Sequence, residues 1–88
     1  MTTPGDILNA VARRTGVTRF ELVGPCRRPR FVHARRVAAL VMRGRRYSLK
    51  EIGSLLNRDH TSILHLLQSA SDHVRGEAIE VVGMKGGA

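Results

Sequence analysis

Apolar residues recur at intervals of three and four along most of the chain, which is the period of amphipathic α-helices. The first such segment contains Ile7, Leu8 and Val11. It follows Thr3-Pro4-Gly5-Asp6, where threonine can cap a helix, proline suits its first position and the acid complements the helix dipole. Gly16 provides the stop. The pattern predicts a first helix between these two signals.

A second, very short helix is predicted by the capping box Thr18-Arg19-Phe20-Glu21. In such a box the threonine hydroxyl and the glutamate three residues later bond reciprocally to the backbone at the helix start. We expect the single turn to place Phe20, Leu22 and Val23 on the core.

A basic loop and a longer helix come next. Gly24-Pro25 breaks the chain, and Cys26 to Arg30 form the loop. The helix is predicted from about Val32 to Arg45, with arginines facing outward. The residues expected to face inward are Val37, Ala38, Leu40 and Val41.

Two helices joined by a short polar turn are predicted between Ser48 and Leu67. Ser48 and Glu51 make a second capping box. The next helix starts near Asp59 or His60 and runs to about Val74. Two helices joined so closely form a helix-turn-helix, in which the second helix enters the DNA major groove. We expect Ile52, Leu55, Leu56, Ile63, Leu64 and Leu67 to be buried, and Gly53 to let another helix approach closely.

The C-terminal segment differs in composition from the rest. It is slightly acidic and contains several glycines, so we expect residues 76–88 to form a mostly frayed tail. Ile79, Val81 and Val82 could add one short strand or helical turn against the body. With 88 residues, the chain is predicted to form one all-α domain over residues 1–75, a small helical bundle around a helix-turn-helix.

The charge is concentrated in one part of the sequence. Lysine and arginine total 15 against 7 acids, which gives a formal net charge of +8. No acidic residue lies between Leu22 and Lys50, a stretch rich in arginine. Such a basic block indicates a protein that binds a polyanion.

Four polar residues open the second helix of the predicted motif: Asp59, His60, Thr61 and Ser62. These positions face base edges in a helix-turn-helix. An aspartate can accept from cytosine N4, while threonine and histidine can meet a thymine methyl group or an acceptor. The alternative is that Asp59 only caps the helix and His60 is an ordinary surface residue.

Further cations flank these candidates. An arginine of the basic loop, Arg27 or Arg28, could enter a narrow minor groove, although a solvated charge run is equally compatible with the sequence. Phosphate contacts set orientation without sequence information. The candidates for them are Arg30, Arg35, Arg36, Ser48, Lys50, Arg58 and His65. For Arg43, Arg45 and Arg46 we expect a solvated face that attracts DNA at longer range.

The segment Asn57–His65 resembles the G-R-D-H-[ST]-[ST]-V-x-H signature of the C-terminal DNA-binding domain of DnaA, the bacterial replication initiator. Ser48–Gly53 is similar to the family's S-x-x-E-I-G at the family's spacing. Arg27–Arg30 and Ala34–Ala38 resemble its basic loop and its P-R-Q-x-A helix start. The chain departs from the family pattern at three positions. It has Lys50 where the family has proline, Asn57 where it has glycine and Arg36 where it has glutamine, and its basic loop is one residue shorter.

The resemblance implies a Trp-repressor-like helix-turn-helix. It implies base contacts from Asp59, His60 and Thr61, a minor-groove arginine at Arg27 or Arg28, and a phosphate contact from Arg35. It also implies binding to double-stranded DNA at sites like the family's TTATNCACA box. A bacterial or phage regulator of transcription or of replication initiation is then expected, in the cytoplasm and on the nucleoid.

Other classes of function lack support in the sequence. No Walker-type run is present, the histidines and Cys26 lack metal-ligand spacing, and no catalytic constellation can be argued, so we expect no nucleotide, no cofactor, no metal and no enzymatic activity. No signal or long apolar span accompanies the basic block, so no membrane partner is expected. The rival hypothesis is a protein-interaction adaptor that docks on RNA polymerase, a replication protein or a second copy of itself, with DNA contact secondary.

Overall fold

The computed structural model describes residues 3–86, with side chains up to residue 81. Within these residues the chain forms six α-helices and no strand. The helices are α1 (Pro4–Thr15), α2 (Arg19–Val23), α3 (Pro29–Gly44), α4 (Leu49–Leu56), α5 (His60–Gln68) and α6 (Asp72–Gly86). The predicted all-α class is confirmed.

Local capping sets where several helices begin. The Thr18 hydroxyl accepts from the Glu21 amide, and the Glu21 carboxylate accepts from the Thr18 amide. The same reciprocal pair joins Ser48 and Glu51 at the start of α4. Gly16 ends α1 in the left-handed conformation, with φ of 77°. These predicted signals are confirmed. They could be predicted from the sequence because each depends on residues three or four apart.

Helix α3 is the centre of the bundle, since all five other helices contact it. It buries Phe31, Ala34, Val37, Ala38 and Met42, and small alanines allow neighbouring helices to approach. The partners contribute large apolar side chains to the same cluster. Among these are Ile7, Val11, Leu22, Ile52, Leu56, Ile63 and Val81.

The C-terminal segment differs from the predicted frayed tail. Residues 72–86 form α6, which packs against α3 and α1. Val74, Ala78 and Val81 are buried at helical spacing, and the Ser71 hydroxyl accepts from the Val74 amide near the helix start. The expectation of a loose tail is therefore wrong for residues 76–86. The side chain of Val82 and residues 87–88 lie outside the described part of the chain.

Helix boundaries and two buried positions also need correction. Helix α3 starts at Pro29 rather than Val32, since proline fits the first turn. Helix α5 was predicted to run to about Val74, but it ends six residues earlier, at Gln68, because Ser69 caps its last turn. Phe20 is 84% exposed and Leu64 is 39% exposed. Leu22 and Ile63 alone provide the fully buried contacts of those two helices.

The turn between α4 and α5 is tight because of two residues. A β-carbon placed on Gly53 would lie 2.5 Å from the carbonyl oxygen of Arg58. Asn57 takes the left-handed conformation with φ of 56°, which asparagine adopts more readily than most residues. The amide of Arg58 donates to the carbonyl of Gly53 at 2.8 Å. Gly53 has a close neighbour, but the prediction that this neighbour is another helix is wrong, since it is the backbone of the turn.

Candidate nucleic-acid interface

The first turn of α5 projects a polar surface. Asp59 caps the helix, and its carboxylate accepts from the Ser62 amide at 2.7 Å. His60 and Thr61 follow, and both are exposed together with Asp59. Ser62 is half-buried and faces a groove beside the helix. Three of the four side chains predicted to contact bases from this helix start are thus accessible to a partner.

The capping bond also sets the charge of Asp59. The hydrogen bond from the Ser62 amide is the main reason why the pKa of Asp59 lies below its ordinary value, with the adjacent His60 adding to it. The carboxylate is therefore ionised at neutral pH. It can accept from a base-edge donor with its second oxygen while it caps the helix.

A groove of about 320 Å³ runs between the basic loop and α5. Its walls include Arg27 from the loop and Ser62 and His65 from α5. Val32 and Leu66 supply an apolar lining. Arg27 and His65 are exposed, so the groove presents basic and hydrogen-bonding groups beside the first turn of α5.

Arg35 does not occupy the surface position that its sequence suggests. The residue is 2% exposed. Its Nε donates to the carbonyl of Leu22 at 2.8 Å, and its Nη2 donates to the carbonyls of Glu21 and Gly24, each at 2.9 Å. Burial lowers the pKa of the Arg35 guanidinium, and the nearby charge of Arg58 lowers it further. The predicted phosphate contact is corrected to a structural role, since only an edge of this side chain reaches the groove.

Arg58 has a similar, partly buried position in the turn before α5. Its Nη2 donates to the Gly24 carbonyl at 2.6 Å, and its Nη1 donates to the Asn57 carbonyl at 3.0 Å. The side chain thereby ties the helix-turn-helix to the loop after α2. Its guanidinium lines the groove as well, next to Ser62.

The other predicted arginines lie at the start of α3 and along it. Arg28 precedes α3 and is exposed. Arg30 is exposed in the first turn of α3, with its guanidinium carbon 5.2 Å from the centroid of the Phe31 ring. Arg36 donates through Nε to the Ser69 hydroxyl at 2.9 Å, at the opposite end of α5 from His60. Arg36 therefore does not join the polar turn that opens α5.

Ser48 and Lys50 lie at the start of α4, and both are exposed. The Ser48 hydroxyl is engaged with the Glu51 amide. That capping box lowers the pKa of Glu51, chiefly through hydrogen bonds from Ser48. The Lys50 ammonium extends into solvent beside this helix start.

Two features of the site were missed at the level of sequence. The carbonyl of Gly24 accepts from both Arg35 and Arg58, and nothing in the one-dimensional pattern marks a shared acceptor. Val32 and Leu66 form the apolar part of the groove. Their helical spacing indicated amphipathic helices but not which neighbour each side chain would meet.

Two helices meeting at a tight turn, with an exposed polar first turn on the second, define a helix-turn-helix protein. Residues 4–69 match the model of the bacterial DnaA protein helix-turn-helix. The chain is also 39% identical over 77 residues to the chromosomal replication initiator protein DnaA of Thermomicrobium roseum, an alignment that covers 85% of this chain. The chain belongs to the bacterial DnaA helix-turn-helix family.

The similarity covers a small part of that relative. The chain spans 17% of the length of the Thermomicrobium roseum protein. In residues 3–86, no helix has the length and hydropathy that crossing a bilayer requires. The same described region holds no group of three side chains suited to a metal ion.

Proposed function

We propose that the protein binds double-stranded DNA sequence-specifically, with α5 in the major groove. The observation that carries this proposal is the exposed turn Asp59-His60-Thr61 at the start of the second helix of a DnaA-type helix-turn-helix. Side chains at these positions face base edges when the helix lies in the groove.

The position of Arg27 supports a second point of contact. It extends from the loop after α2 and lines the same groove as Ser62 and His65. A flexible arginine beside a recognition helix can reach the adjacent minor groove, where narrow A·T-rich segments have a strongly negative potential. We infer that Arg27, rather than Arg28, makes this contact.

Charge and position support phosphate contacts around the turn. Lys50 and His65 are exposed on α4 and α5, and the formal net charge is +8. Cations of this kind neutralise phosphates and release counterions, which makes affinity fall with salt. Arg30 retains the same role in this proposal, while Arg36 and Arg58 contribute mainly through their intramolecular contacts.

The preferred sites are proposed to resemble the DnaA box TTATNCACA. By occupying them, the protein would regulate transcription or modulate the start of replication on the bacterial or phage chromosome, in the cytoplasm. The chain departs from the family motif at Lys50, Asn57 and Arg36, so its preferred DNA sequence can differ from the box. Selection of binding sites from a random duplex pool would define that sequence.

Fluorescence anisotropy with two labelled duplexes tests the proposal. One duplex carries the box, and the other carries the same bases in scrambled order. We expect tighter binding to the box, and about 1–3 kcal/mol lost at that duplex alone on Thr61→Ala. Asn9→Ala, at an exposed polar position on α1, is the matched control and should change neither affinity.

Equal affinity of the wild-type protein for both duplexes would refute specific recognition of the box. The adaptor hypothesis predicts a different result. DNA association would then require an added protein partner, and the purified chain alone would bind neither duplex.

A further inference from the structure

Arg46 has an unusual backbone conformation in the turn between α3 and α4. Its φ is 69°, in the left-handed region. The Arg46 amide donates to the Arg43 carbonyl at 3.0 Å, and the Tyr47 amide donates to the Met42 carbonyl at 3.1 Å. This pair of bonds is the Schellman motif that ends many helices, and glycine or asparagine usually occupies its left-handed position.

The same chain forms the same motif at the end of α4 with a better suited residue. There the Arg58 amide donates to the Gly53 carbonyl, and Asn57 takes the left-handed position with φ of 56°. Asparagine tolerates that region because its short polar side chain can bond locally. Arginine has no such compensation, so Arg46 adopts its conformation at a cost to folding.

The Arg46 guanidinium makes no described contact that would stabilise the fold. The residue is exposed, and over residues 3–81 its side chain has no hydrogen bond or ion pair. The next acidic residue along the chain, Glu51, uses one carboxylate oxygen to accept from the Ser48 amide. A strained residue whose charge is not used within the molecule points to a function outside it.

Its neighbours share its charge. Arg43, Arg45 and Lys50 are exposed around the same turn, and we call these three residues with Arg46 the turn patch. Arg43 donates to the Tyr47 carbonyl at 2.9 Å, which holds part of the patch in place. The patch spans the turn before α4 and the first turn of α4, which is the first helix of the helix-turn-helix and crosses the DNA backbone in this motif.

We propose that Arg46 binds a backbone phosphate of the DNA, together with Lys50, and that its strained conformation is the folding cost of that contact. The inference rests on the proposed function, because it takes double-stranded DNA as the partner. It replaces the expectation that Arg46 only contributes long-range attraction. A planar guanidinium in the turn and an ammonium in the first turn of α4, four residues apart along the chain, suit neighbouring phosphate oxygens.

Two measurements on Arg46→Asn test this pairing of strain and binding. The first is the midpoint of urea unfolding, which we expect to rise because asparagine relieves the backbone. The second is anisotropy with the box and scrambled duplexes over a salt series. We expect affinity for both duplexes to fall roughly three- to ten-fold, and the slope of log K against log salt to shrink by about 0.9.

Arg13→Ala is the matched control, since it removes one positive charge from an exposed position on α1. It should leave the salt slope unchanged. Arg46→Lys should keep most of the DNA affinity. Its urea midpoint should not rise, because lysine leaves the backbone strain in place. A salt slope for Arg46→Asn equal to that of Arg13→Ala would overturn the inference while leaving specific binding intact. Failure of the wild-type protein to bind any duplex would overturn both proposals.

Discussion

Arg35 and Arg58 donate hydrogen bonds to the same acceptor, the carbonyl oxygen of Gly24, at 2.9 and 2.6 Å. One arginine comes from the central helix α3 and the other from the turn of the helix-turn-helix. The shared acceptor lies in the loop that leads to Arg27. This arrangement fixes the basic loop relative to α5, so that Arg27 and the polar first turn of α5 have a defined separation.

Removing the Arg35 guanidinium should therefore destabilise the fold. Arg35→Met keeps the length and apolar stem but leaves the carbonyls of Glu21 and Leu22 without their donor. Losing a partner of buried acceptors costs about 1–3 kcal/mol. The free energy of unfolding in urea measures this, and Arg13→Met at an exposed position should stay within about 0.5 kcal/mol.

A conservative variant separates this structural role from a phosphate contact. Arg35→Lys keeps the charge but cannot form the forked set of hydrogen bonds. We expect it to be destabilised nearly as much as Arg35→Met. Wild-type stability of Arg35→Met, combined with weaker DNA binding of that variant at every sequence and nearly normal binding of Arg35→Lys, would instead restore the phosphate contact implied by the family resemblance.

A methyl group at Gly53 should disrupt the helix-turn-helix. The added carbon would lie 2.5 Å from the Arg58 carbonyl oxygen, a contact that the tight backbone turn cannot avoid without shifting. We expect Gly53→Ala to lose about 1–3 kcal/mol of stability, the range seen for overpacking. DNA affinity should fall too, since the turn sets the angle of α5.

Gly76 offers the matched control for that substitution. It lies in α6, and an added β-carbon there would meet nothing within 4 Å. Gly76→Ala should therefore stabilise the protein by about 0.5–1 kcal/mol through helix propensity. Similar unfolding midpoints for the two alanine variants would show that the close approach at Gly53 is not rigid.

The two candidate minor-groove arginines should behave differently. Arg27 lines the groove with Ser62 and His65, whereas Arg28 precedes α3 outside it. We expect Arg27→Ala to cost about 1–3 kcal/mol of binding at the box and Arg28→Ala clearly less. Replacing the flanking A·T pairs by G·C should shrink the Arg27 effect, because the narrow groove is lost. A larger loss of binding at the box for Arg28→Ala than for Arg27→Ala would show that Arg28 is the minor-groove arginine.

Features that depend on neighbouring residues could be predicted from the sequence. The Ser48–Glu51 box, the left-handed Gly16 and the polar first turn of α5 are all local. Arg35 could not be predicted, because its burial depends on three carbonyls contributed by a separate part of the chain. An arginine on an amphipathic helix has the same pattern whether it meets solvent or buried acceptors.

Helix α6 shows a second limit. Over residues 72–81, where side chains are described, the buried residues form a narrow stripe of Val74, Ala78 and Val81, while Ile79 is 72% exposed. An exposed isoleucine and interspersed glycines conceal the helical period of this segment. Its stability comes from contact with α3, which matches the principle that tertiary packing outweighs intrinsic propensity.

The acid dependence of stability should identify the cap of α5. Hydrogen bonds hold the pKa of Asp59 below its ordinary value of 3.8 and that of Glu51 below 4.5. A carboxylate whose pKa is lowered by folding stabilises the native state at pH values above its ordinary pKa. That contribution is lost as the pH falls through the ordinary value toward the folded one. We therefore expect the urea midpoint to decline below about pH 5, and less steeply in Asp59→Asn, which retains a capping oxygen without the titration. Identical pH profiles for Asp59→Asn and the wild-type protein would show that the Ser62 amide does not hold the ionised carboxylate.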